Sequence, residues 1–256
     1  MIPSNYHTHT YFCDGKNSPE EMVQRAIELG CPELGFSGHS YLSSGASYCM
    51  TLEDTEKYKA EIRRLQEKYA GQIKILLGVE MDYFSEIPTD DYDYVIGSVH
   101  AVCKDGRYLD VDHTRQIFMD DVKNYYGGDY YSYIEDYYAL VADVYRKTKC
   151  RIIGHFDLVT KFNESGDLFD PNHPRYQAAA NKALDALMEA PVILEVNTGA
   201  MARGYTTKPY PAKDILSRWI AAGKPVHFSS DCHDAKNLLF AYEECKAYVE
   251  TCGGSL

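Results

Sequence analysis

Short apolar runs recur along this chain, and six of them close on side chains able to bind a metal ion. The closing motifs are His7-Thr8-His9, Gly38-His39-Ser40, Val79-Glu80, Val99-His100, Gly154-His155 and Asp231-Cys232-His233. Amphipathic helical stretches separate most of these runs, and repeated strand–helix units favour a parallel sheet. An open sheet of that kind gathers its ligands near one switch point. Only a closed ring brings the C-terminal ends of so many strands around one mouth. The expectation is therefore an α/β fold: a distorted seven-stranded (β/α)7 barrel, TIM-like, with a metal site at the C-terminal mouth of the strands.

Strands are expected at about Asn5–His9, Glu33–His39, Ile73–Glu80, Tyr94–His100, Arg151–His155, Val192–Asn197 and Pro225–Asp231. The first helix carries its own start signal, with Ser18 as N-cap, Pro19 at the first helical position and Glu21 completing a capping box. Further helices are expected at Leu52–Ala70, Tyr130–Thr148, Arg175–Ala190, Ala212–Ala222 and from about Lys236 to Cys252. Residues 101–128 show the least regular pattern, with turn signals at Asp105-Gly106 and Gly127-Gly128, and read as a long functional loop or lid. No linker-like stretch divides the chain, so residues 1–256 read as a single domain.

Composition excludes several classes. A net charge of −12 argues against nonspecific nucleic-acid binding, which needs Lys and Arg to neutralise phosphates. There is no apolar run long enough to span a bilayer and no signal-peptide pattern. The eight cysteines form no C-x-x-C pair and read as free thiols in a reducing cytoplasm. The 23 tyrosines, several between Tyr125 and Tyr145, read as groups whose rings pack while their hydroxyls stay near water.

A single H-x-H is a weak sign of metal binding, although His7 and His9 share one face of a strand. The remaining motifs strengthen it. Glu80 ends an apolar strand, where a carboxylate needs a partner to offset desolvation, and His100 and His155 end strands in the same way. His113 and His173 lie in polar loops and read as solvated. His227 has the parity of Ser229 and Asp231 but lies deeper, as a core or supporting histidine. Cys13 and Cys232 flank the motifs without being taken as ligands.

The set His7, His9, Asp14, His39, Glu80, His100, His155, Asp231 and His233 resembles the metal-binding set of the polymerase-and-histidinol-phosphatase family. Phe12-Cys13-Asp14-Gly15, Gly154-His155-Phe156-Asp157 and Glu195-Val196-Asn197-Thr198-Gly199 are similar to its stand-alone phosphatase branch. The resemblance implies three divalent metals (Zn, Fe or Mn) and hydrolysis of L-histidinol phosphate, a step of histidine biosynthesis. It places one metal on His7, His9, Glu80 and Asp231, a second on Glu80, His100 and His155, and a third on Asp14, His39 and His233.

On that basis a hydroxide bridging two metals would attack phosphorus, with Glu80 and Asp231 as the catalytic carboxylates. Lys161 and Arg203, on loops after strands, would clamp the phosphate. Asp105, Tyr108, Asp110 and Asp112 could receive the leaving group's cationic end. The expected partners are a small phosphorylated substrate and inorganic phosphate. A phosphoesterase for another small phosphate or nucleotide stays open, as does a degenerate metal-binding interaction module.

Overall fold

The computed structural model describes residues 3–256. Helix α1 (Pro19–Glu28) begins with the capping box its sequence prescribes, Ser18 and Glu21 each accepting from the other's backbone N–H. It buries Met22, Val23 and Ala26. Strand β1 (Glu33–Phe36), helix α2 (Leu52–Lys68), strand β2 (Lys74–Asp82) and strand β3 (Tyr94–Ser98) follow. Next come the short strands β4 (Ala101–Lys104) and β5 (Arg107–Asp110), then helices α3 (Arg115–Tyr126) and α4 (Tyr130–Thr148). The C-terminal part runs β6 (Ile152–Ile153), α5 (Pro174–Met188), β7 (Ile193–Asn197), α6 (Gly199–Ala202), α7 (Lys213–Ala221), β8 (Val226–Ser229) and α8 (Tyr242–Thr251).

Six strands form one curled parallel sheet in the order β1-β2-β3-β6-β7-β8. Strand parity divides its side chains cleanly. Leu34, Phe36, Ile75, Leu77, Val79, Val95, Ile153 and Leu194 join the large core under the helices. The opposite parity gives a small separate cluster of Tyr94, Ile96 and Ile152, with Leu76 and Ile193 against it, on the concave side. Gly35 and Gly78 make room for it: a Cβ on either would lie within 2.5 Å of the Tyr94 side chain. The Tyr94 hydroxyl shares its one proton between the carbonyls of Tyr6 and Phe36, so its buried polar end is satisfied.

The structure departs from the sequence-based expectation at three places. The segment Asn5–His9 forms no ladder; it makes isolated bridges, Asn5 to Leu34 and Thr8 to Cys232, at the two ends of the six-stranded sheet. Polar side chains take over ladder bonds there, Ser37 Oγ accepting from Thr8 N and Asn5 Nδ2 donating to His7 O. Residues 101–128 are an antiparallel hairpin and a helix rather than a loop. Asp105 and Gly106 both adopt positive φ, as a two-residue hairpin turn of type I′ requires. Finally, the last helix is interrupted: a 3₁₀ turn at Ala235–Asn237 is separated from α8 by Ala241 at φ 54°.

Three of the six tyrosines of α4, Tyr133, Tyr137 and Tyr138, are core residues with bonded hydroxyls. Tyr137 donates to Phe156 O, Tyr133 to Leu109 O, and Tyr138 pairs with the Tyr176 hydroxyl. All eight cysteines are free. No described helix is long and apolar enough to cross a membrane.

Candidate metal centre and phosphate pocket

The metal-capable residues expected at strand ends do meet: His100, His155 and Asp231 lie two residues beyond their strands, and His39 three. Glu80 lies within β2, and its carboxylate is the hub. Oε2 stands 3.1 Å from His7 Nε2, 3.5 Å from His9 Nε2 and 2.9 Å from His39 Nδ1. Oε1 stands 3.2 Å from His100 Nε2 and 2.9 Å from His155 Nε2. Asp231 Oδ1 approaches His9 Nε2 at 3.3 Å. At the rim, Asp14 faces His233 Nε2 at 3.2 Å and His39 Nε2 at 3.7 Å.

Four subsets bring their possible ligand atoms within 4.8 Å of one another: His9-Asp14-His39-His233, His7-Glu80-His155, His7-His9-Asp231 and His39-Glu80-His100. His7 Nε2, His9 Nε2 and Glu80 Oε2 are buried without a properly oriented hydrogen bond. Buried lone pairs aimed at one another are costly unless a cation lies between them. Imidazole and carboxylate donors together suit divalent Zn, Fe or Mn. The residues therefore fit such ions.

In the protein alone, the buried carboxylates and imidazoles shift one another's titration. Burial would raise the Glu80 carboxyl, but His7, His39 and His100 hold it well below the usual range. Burial likewise opposes ionisation of Asp231, and Arg203 and His7 overcome it. Burial lowers His7 and His100, yet the carboxylates around them keep both well above the ordinary imidazole value. His9, buried and beside His233 and His39, is lowered to about 3 and is neutral. Cations binding here displace the protons on His7 and His100.

Sequence reasoning missed the groups behind these histidines. Both Glu195 oxygens lie 3.0 Å from His7 Nδ1, and Asp82 Oδ2 lies 3.1 Å from His100 Nδ1. The signal was present: Asp82 and Glu195 are carboxylates in apolar strands, the same anomaly that singled out Glu80. Asp231 adopts φ 45°, a left-handed conformation that Asp tolerates better than most residues. Gly199 sits against it, since a Cβ there would lie 2.6 Å from Asp231 Oδ2.

A cavity of about 340 Å³ opens onto these groups and is also lined by Tyr48, Asp112, Lys161 and Arg203. Both expected phosphate clamps are thus at the pocket. Arg203 Nη2 donates to Asp231 Oδ2 at 3.1 Å, and Lys161 Nζ to Asp112 Oδ2 at 3.0 Å. Asp110 and Tyr108 line a small adjoining cavity behind Tyr48, whereas Asp105 sits exposed at the tip of the hairpin. His113, read as solvated, is exposed but stands on the rim of the main pocket. His173 caps α5, accepting from Arg175 N. His227 stacks on Tyr6 far below the mouth, with centroids 4.3 Å apart.

Comparisons with known proteins show the family and the fold. The family described as PHP domain matches residues 5–199. A protein of Deinococcus radiodurans named "Probable histidinol-phosphatase" is 31% identical over 97% of this chain and 93% of its own length. A solved structure from Listeria monocytogenes superposes with a TM-score of 0.81 at 22% identity, covering 94% of this chain and 99% of that one. The histidinol phosphate phosphatase of Lactococcus lactis, solved with Zn, L-histidinol and phosphate, gives a TM-score of 0.70 at 22% identity, covering 99% of this chain and 94% of that one.

Proposed function

Because the chain belongs to the PHP domain family, we propose that it is a phosphoric monoester hydrolase that converts L-histidinol phosphate and water to L-histidinol and phosphate in histidine biosynthesis. The observation that carries this reading is the Glu80 hub, one buried carboxylate facing five imidazoles at the floor of an open pocket. Divalent metals bound there supply positive charge for the phosphoryl oxygens and a water of lowered pKa.

His7, His9, Asp14, His39, Glu80, His100, His155, Asp231 and His233 are the proposed ligands, serving three ions of Zn, Fe or Mn. Lys161 and Arg203 bind the phosphate oxygens, exchanging part of their present bonds to Asp112 and Asp231 for the substrate. Asp231, held by Arg203 on one oxygen, orients the attacking water or returns a proton to the leaving alkoxide. The Asn5–His9 segment acts as the seventh stave that closes the curled sheet, and the whole chain works as one domain. The free cysteines suit a cytoplasmic setting.

A panel of phosphomonoesters assayed with Mn or Zn tests the substrate. The expected outcome is the highest kcat/KM for L-histidinol phosphate, with Lys161→Ala and Arg203→Ala each lowering it by about tenfold or more. A nucleotide or another small phosphate ranking first would replace the substrate assignment while keeping the reaction. Both variants staying within about twofold would remove the clamp assignment.

A further inference from the structure

Three histidines of the centre have a partner on the ring nitrogen that faces away from Glu80, and the partners differ in kind. His7 has Glu195 and His100 has Asp82, both carboxylates. His9 has a thiol ahead of a carboxylate: Cys13 Sγ lies 3.6 Å from His9 Nδ1 and donates to Thr10 O at 3.4 Å, while Asp14 Oδ1 stands farther from the same nitrogen, at 3.8 Å. The Tyr11–Asp14 turn holds the sulfur there, with Cys13 N and Gly15 N both donating to Thr10 O at 3.0 Å. The turn is tight enough that a Cβ on Gly15 would lie 2.5 Å from Thr10 N. With its S–H directed at Thr10 O, the sulfur turns a lone pair towards His9 Nδ1.

We infer that Cys13 is a positioning residue whose sulfur accepts the Nδ1–H of His9, fixing the tautomer that turns His9 Nε2 towards Glu80 and Asp231. The inference rests on the metal-centre reading above. His9 belongs to two of the four ligand groupings, one deep and one at the rim, so its ring orientation couples them. Partners of this kind tune metal affinity by roughly 10- to 100-fold.

Two measurements on the Zn-loaded protein test it. Long-range ¹H–¹⁵N correlation of the histidine side chains should show His9 protonated at Nδ1; an unprotonated Nδ1 overturns the inference without any variant. Release of Zn to a chromogenic chelator should contain one phase that Cys13→Ala accelerates about tenfold, and Cys13→Ser, which can accept and donate, should restore it to within about threefold. Superimposable release from wild type and Cys13→Ala overturns the inference. So does a serine variant as fast as the alanine one, because lost volume and not the hydrogen bond would then be the cause. If the wild-type chain holds no metal, the metal-centre reading fails, while the His9 tautomer still judges the contact with Cys13.

Discussion

The two ends of the curled sheet are built on the same strands, yet they do opposite things. At the floor, inward positions carry Tyr94, Ile96 and Ile152, packed against one another. At the mouth, Glu80 and His100 lie further along that parity and meet His155, which follows Gly154 just past the end of β6. The floor is held by volume and the mouth by charge. A polar cluster of this density is tolerable only because a packed plug beneath it fixes the strands and outer carboxylates fix the rings.

The largest expected effect separates the two ends by activity. Glu80→Gln removes the hub charge, and kcat for phosphomonoester hydrolysis should fall by about a thousandfold or more with loss of bound metal, while the far-UV circular dichroism stays native. Retained metal and activity would sink the hub assignment. At the floor, Tyr94→Ala empties the plug and should cost about 3–5 kcal/mol in urea unfolding, with kcat per folded, metal-loaded molecule within about twofold. A kcat loss comparable to that of Glu80→Gln would show that plug and mouth are not separable.

The smallest effect is a pH dependence at the floor. Burial lowers His227 to about 4 from its ordinary 6.5, and its Nε2 is buried without a partner. The unfolded chain therefore binds a proton between pH 6.5 and 4 that the folded chain does not, so stability is whole above pH 6.5 and falls as pH drops towards 4. His227→Phe should remove part of that slope, on the order of 1–2 kcal/mol between pH 7 and 4.5, because the ring is only partly buried. Parallel stability curves for the variant and wild type would show that His227 does not titrate this way.

Several features were legible because their causes are local. The Ser18–Glu21 capping box formed as read, and His39, His100 and His155 fell just past strand ends because apolar runs are short-range patterns. The hairpin at 101–110 was hidden although its Asp105-Gly106 turn was seen, since its strands are four residues each and largely exposed on β5. Helix α3 was hidden for a similar reason: only Phe118 and Val122 of it are buried, too few to print a helical period.

By itself, the sequence determined the alternation of strands and helices, the residues able to bind metal and the end of the sheet on which they lie, because side-chain periodicity and cap chemistry act over a few residues. Tertiary structure alone decided which distant groups touch. It set Glu195 against His7 across 188 positions of chain and placed Lys161 on Asp112 and Arg203 on Asp231. It also left Asn5–His9 bridged rather than laddered. Such contacts depend on how a twisted sheet curls and which side chains compete for its edge bonds, and no local pattern carries that information.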